Sequence, residues 1–283
     1  MQTQHVQPVD DIPPRALGGY DGVDLWTLRV WNVASVHEQV FASLHERLHH
    51  ELQSSTLWGL LTRFSDDFLR DSRYRQSARL LFWIGVLRSQ LVHEVYATTL
   101  AAGMDPDYVA VLDANPEHRA HRERGLRLLG SSQSSWAHDR YLIDALLRAC
   151  MNAPGLVRLA GRMPDIRAAD LDAVACRPDE RLERLERADL MPLRDLIETP
   201  PASVAELRDL HDRVASALPP GVLETATSDE IRGAISRSPT APVKSWDSTS
   251  RSTRYAPTRR STTSPRCSAS ESSCIRNAFP RRW

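Results

Sequence analysis

Apolar residues recur at helical spacing along most of the chain. Val36, Val40, Leu44, Leu48 and Leu52 repeat every four residues and predict a helix from about Val33 to Gln53 with one broad apolar stripe. Ser54 and Ser55 are placed to cap a second helix, whose buried face is Leu57, Leu60, Leu61, Phe64 and Phe68. From about Gln76 to Ala102 the chain is apolar on nearly every side, which predicts one central helix stopped by Gly103 and the turn Asp105-Pro106. Beyond a charged stretch around Asn115 to Arg127, the residues Trp136, Ile143, Leu146, Leu147 and Cys150 mark the inward side of a helix over Ser135 to Met151. Prolines at 154, 164, 178 and 192 then cut the chain into shorter helices. Ser203 and Glu206 form a capping box, in which each side chain satisfies an orphan backbone donor, and it opens a helix with Val204, Leu207, Leu210 and Val214 on its apolar face.

No segment alternates polar and apolar residues between hairpin turns, so no β-sheet is expected. The fold class predicted is all-α, an irregular helical bundle around the central apolar helix, with a disordered C-terminal tail. Residues 1–31 read as an extended lead-in, 32–236 as the helical domain, divisible into a core bundle 32–151 and shorter helices 152–236, and 237–283 as the tail. From Ser238 onward there are eleven serines, six threonines and five prolines with no periodicity, too little apolar surface to offset the entropy of ordering. Two origins stay open for it, a native tail or the product of a shifted reading frame.

The formal charge of zero conceals a segregation. Nine basic residues face two acids, Asp247 and Glu271, from Ser238 onward, so the body is as acidic as the tail is basic. Of the 36 basic residues only Lys244 is a lysine, a bias expected of a GC-rich bacterial genome. The four cysteines show no CxxC spacing, and prolines 8, 13 and 14 interrupt any apolar leader, so free thiols in a reducing cytoplasm are expected. The apolar span Leu80 to Leu100 carries Arg88, Gln90, His93 and Glu94 near its middle; charges there are costly in hydrocarbon, and no membrane span is expected.

One motif stands out. His45-Glu46-Arg47-Leu48-His49 fits the HExxH pattern, in which two histidines one helical turn apart ligate Zn²⁺ and the glutamate accepts a proton from the activated water. Over these five residues the chain resembles the zinc-peptidase signature. It departs from it at Arg47 and Glu51, and the extended form would want a glycine and a histidine where Leu52 and Ser55 stand. The resemblance implies His45 and His49 as metal ligands and Glu46 as catalytic base, with a third ligand from Glu94, Asp67 or Asp71. On a helical wheel the leucine stripe spans about 0° to 160° from Val36, whereas His45, His49 and Glu46 fall near 180°, 220° and 280°. That places them at the border of the solvent face, where a charged, histidine-rich surface needs no metal. His37 and Glu51 fall on the apolar side and would need polar partners.

On the central helix, Glu94 lies between Trp83 and Leu87 on the wheel, one turn after Gln90. A carboxylate opposite a histidine-bearing helix is how bundles build di-metal sites, although a salt bridge to Arg88 or Arg79 across the bundle is the first expectation for it. The stretch Asp66-Asp67-Phe68-Leu69-Arg70-Asp71 resembles the aspartate-rich element of all-α terpene synthases, with spacing one residue too long and no downstream partner set. His118 and His121 lie among Arg119, Arg122, Arg124 and Arg127 and read as a solvated basic helix, with no specific nucleic-acid motif. GxSxG, GxGxxG and P-loop patterns are absent. Three functions are therefore expected in order: a binding or scaffold protein for a protein or small-molecule partner; a zinc-dependent hydrolase using the HExxH helix; and a helical di-metal (iron) oxidoreductase drawing on Glu38 or Glu51 with His93 or Glu94.

Overall fold

The computed structural model describes residues 5–9, 18–20, 27–31, 36–69, 75–104, 107–130, 136–160, 166–197 and 199–237. By contacts the chain divides into Met1–Pro239 and Thr240–Trp283, and the second unit, with the basic tail, lies outside the described residues. From Val36 onward the described part is all-α.

The first correction lies at the N-terminus. Instead of a plain lead-in, β1 (His5–Val9), β2 (Gly18–Tyr20) and β3 (Thr27–Trp31) form a three-stranded sheet in the order β1-β3-β2, with β1 parallel and β2 antiparallel to β3. The alternation of polar and apolar residues covers only His5 to Pro8 and Thr27 to Val30, with no hairpin turn to bound it. Pro8 also sits inside β1, which the sheet tolerates because β1 is an edge. The sheet lies against α1 (Val36–Ser55).

Next come α2 (Leu57–Leu69) and α3 (Arg75–Leu87), which pack closely together. Gly85 makes this approach possible, since a Cβ there would overlap the Thr62 side chain, and the Trp58 indole N–H donates to the Gly85 carbonyl at 2.8 Å. The N-terminus of α2 is satisfied by Thr56, whose hydroxyl accepts from Gly59 N–H, and by Asn152, whose side-chain oxygen accepts from Leu57 N–H. The serines expected to cap it, Ser54 and Ser55, instead donate to the Glu51 carbonyl within α1.

A second correction concerns the central helix, which is two helices: α3, then α4 (Gln90–Met104) after a turn at Arg88-Ser89. The break is made by a distant residue. Asp179 accepts from the N–H groups of Leu91 and Val92 at 3.4 and 3.1 Å, while its own N–H donates to the Arg88 carbonyl at 3.1 Å. An aspartate from elsewhere thus caps α4 and makes a new helix start more favourable than continuing the old one. It belongs to α10, introduced below.

α5 (Asp107–Asp113) leads into α6 (Pro116–Leu128), which is capped by the Asn115 side chain accepting from Glu117 N–H. α7 (Trp136–Met151) buries Ile143, Leu146, Leu147 and Cys150, as the sequence pattern required. The smaller helices α8 (Pro154–Ala160), α9 (Ala168–Leu171) and α10 (Pro178–Glu186) follow. The buried Arg181 of α10 donates to the carbonyls of Ala149, Cys150 and Glu224, satisfying the open end of α7. α11 (Val204–Ala217) begins at the predicted cap, with the Ser203 hydroxyl accepting from Glu206 N–H at 3.1 Å, and α12 (Ser228–Arg237) ends the described chain. Among the described residues no helix is long and apolar enough to cross a membrane.

Candidate metal centre

The site lies where α1, α4 and α6 meet. In α1 the buried arc differs from the leucine stripe. Val36 and Val40 are 77% and 51% exposed, whereas His45, Glu46 and His49 are only 6%, 8% and 7% exposed. The wheel had set these three at the solvent border; in the structure the inward arc runs from Leu48 through His45 and His49 to Gln53 and Glu46, about 120° to 280° on the same wheel. The reason is the neighbour. α4 presents Glu94 to this face, so the imidazoles gain a charged partner that a purely apolar wall would deny them.

His45 and His49 bring their Nε2 atoms to 3.0 Å, and each lies 3.7 Å from a Glu94 carboxylate oxygen. One donor atom from each of the three residues falls in a group no more than 4.8 Å across. His45 faces Oε2 and His49 faces Oε1, and a group no more than 4.8 Å across is small enough for one ion with Zn–N and Zn–O bonds of about 2.0 to 2.2 Å. The residues therefore fit a divalent metal in both chemistry and reach. The second nitrogen of His45, Nδ1, is buried without a hydrogen-bond partner.

Three more imidazoles surround this group. His93 stands 5.7 Å from the His49 ring and His118 stands 5.6 Å from the His45 ring, with His121 one turn beyond His118 on α6. Burial holds His93 and His118 at about 4, keeping both neutral, Glu94 opposing in each case. Burial also drives His49 well below the ordinary imidazole value, with Glu94 opposing and His45, His93 and His118 adding to the depression. His45 goes the other way: burial resists its charging, but Glu94 and Glu46 outweigh that and raise it. Glu94 itself is held below the usual carboxylate range, since the neighbouring His49, His45 and His118 overcome the cost of its burial.

The remaining expectations divide. Arg88, offered as a partner for Glu94, pairs with Asp172 at 3.4 Å. Glu51 points out of the cluster, its carboxylate 2.7 Å from Arg148. Asp71 and the side chains of His37 and Asp67 lie outside the described residues. His118 and His121, expected on a solvated basic face, are half-buried against α4, while Arg122 and Arg124 turn aside to Asp113 and Glu186. The only sequence signal for these two histidines was their spacing of three, which puts both on one helical face.

The two helices that carry His45, His49 and Glu94 are clamped just beyond the site. Arg148 of α7 donates through Nε to Asp144 at 2.7 Å, and to Glu51 at 2.7 Å, Tyr96 at 3.1 Å and the Ser55 hydroxyl. Asp144 also accepts from Tyr96 at 2.7 Å and contacts His211 Nε2 at 2.7 Å. Glu51 follows His49 by two residues and Tyr96 follows Glu94 by two, so one guanidinium fixes the register of α1 against α4. No protein-family model, curated protein or solved structure matches this chain.

Proposed function

We propose that the protein is a metal-dependent hydrolase, with His45, His49 and Glu94 binding Zn²⁺ and Glu46 acting as general base. The observation that carries this reading is the gathering of two buried imidazoles from α1 and the part-buried Glu94 carboxylate from α4 into one group of donor atoms no more than 4.8 Å across. Zn²⁺ supplies a water acidic enough to ionise near neutral pH. With the ion bound, Glu46, buried next to His45 on the same turn, would accept a proton from the attacking water and return it to the leaving group. The neutral imidazoles of His93 and His118 keep further positive charge away from the site.

Two histidines and one carboxylate also suit non-haem Fe(II), which gives the oxidoreductase reading a mononuclear form. The HExxH position of Glu46 favours hydrolysis over it. A scaffold role gives no reason to bury this many imidazoles around one carboxylate. The test is metal content and turnover. Wild-type protein should retain zinc through gel filtration and hydrolyse members of a peptide and ester panel in a chelator-sensitive way. His49→Ala should lose the metal, and Glu46→Gln should keep the metal but lose hydrolysis. Retention of iron with no hydrolysis would favour the oxidoreductase instead, and the absence of any bound metal would end both.

A further inference from the structure

His45 and His49 stand on one helix, so α1 alone sets the spacing between them, whereas Glu94 comes from α4. The span of the donor group therefore depends on how α1 sits against α4. Sliding one helix past the other by a single residue moves a side chain about 1.5 Å along the axis, but metal–ligand bonds tolerate only about 0.2 Å. Apolar burial is non-directional and sets such a position loosely; hydrogen bonds of fixed length set it tightly.

Arg148 of α7 supplies those bonds. Its guanidinium reaches α1 through Glu51 at 2.7 Å and the Ser55 hydroxyl, and α4 through the Tyr96 hydroxyl at 3.1 Å, while Asp144 of its own helix holds Nε at 2.7 Å. Asp144 is fixed in turn by the Tyr96 hydroxyl and by His211 of α11, each at 2.7 Å. Glu51 follows His49, and Tyr96 follows Glu94, by two residues, which turns each about 200° away from the donor group on its helix. The guanidinium thus ties the two helices together from the α7 side and leaves the imidazoles and Glu94 free to face one another. Arg148 and Asp144 are buried, and a buried ion pair often adds no more stability than apolar residues of the same volume would. What it adds here is direction. We infer that Arg148 is a positioning residue for the metal site: by bonding Glu51 and Ser55 on one helix and Tyr96 on the other, it holds Glu94 within reach of His45 and His49 and so sets the affinity for the ion.

The role requires the His45–His49–Glu94 position proposed above, and the experiment separates the two. Deleting Arg148 would strand the buried Asp144 charge, so the arms are cut instead. Glu51→Ala/Ser55→Ala removes the α1 arm and Tyr96→Phe the α4 arm, each leaving Arg148 bonded to Asp144. Glu51 is 52% exposed and phenylalanine keeps the Tyr96 ring, so both variants retain the packed core. Full-length proteins with matched helical circular dichroism are stripped with chelator and titrated with Co²⁺, whose visible absorption reports its ligand geometry. Both arm variants are expected to bind Co²⁺ about 10- to 100-fold more weakly than wild type, the range for groups one step removed from a metal, and with altered absorption. Glu51→Gln keeps an acceptor oxygen at the same reach and loses only the charge, and it is expected to keep the wild-type affinity and spectrum. Wild-type affinity and spectrum in both arm variants would overturn the positioning role and leave the metal position standing. A Glu51→Gln site as weak as that of Glu51→Ala/Ser55→Ala would overturn the role too, by showing that the charge of Glu51 acts and not its bond. No Co²⁺ bound by wild type would overturn both.

Discussion

Replacing His49 with alanine removes one of three donor groups that converge within 4.8 Å, and its effect can be sized in advance. Loss even of an outer-sphere partner weakens metal binding about 10- to 100-fold, so deleting a direct ligand should weaken it by about 100-fold or more. At free zinc about 1,000 times the wild-type dissociation constant, binding stabilises the native state by about 4 kcal/mol; a site 100-fold weaker retains about 1.4 kcal/mol at the same concentration. The difference, about 2.7 kcal/mol, corresponds to about 5 to 11 °C in Tm for a folded unit of this size. The quantity to compare is the zinc-induced shift in each protein, measured by scanning calorimetry with and without metal. His49 is buried, and its loss will also lower the metal-free Tm through packing. Equal shifts in wild type and His49→Ala would refute the assignment of this imidazole as a ligand.

Other outcomes follow from the clamp and the helix contacts. Asp144→Asn removes the charge opposite buried Arg148 and should cost about 3 to 5 kcal/mol in urea unfolding; a loss under 1 kcal/mol would show that the network is not a clamp. Burial works to raise the Asp144 carboxyl, but Arg148, His211 and Tyr96 hold it below its ordinary value, so its contribution is complete above about pH 4 and fades as pH falls further. The gap in urea midpoint between wild type and Asp144→Asn should accordingly be constant from pH 7 to 5 and close in stronger acid. Gly125→Ala should destabilise by about 1 to 3 kcal/mol through overlap with Thr99, and should become neutral or stabilising in a Thr99→Ala background. Asp179→Ala should cost about 0.5 to 2 kcal/mol and speed hydrogen exchange at Leu91 and Val92, whose N–H groups it caps; unchanged exchange there would count against the capping account of the α3–α4 break.

The sequence by itself determined that the described chain from Val36 to Arg237 is helical, because four-residue recurrence of apolar groups and a local N-cap at Ser203 depend only on near neighbours along the chain. It also supplied the pair His45 and His49, since residues four apart must share a face once the helix forms. Which face that was could not be read there. Valines at 36 and 40 seemed to continue the leucine stripe, and only the packing of α4 and α6 turned the imidazoles inward and left those valines exposed. The same holds for the split of the central helix, made by Asp179 from nearly ninety positions away, and for Glu94, one of several acids until the fold set it against α1. Local periodicity fixes a helix; the charge and shape of its neighbours decide how it rotates and where it stops, and that rotation brings His45 and His49 to Glu94.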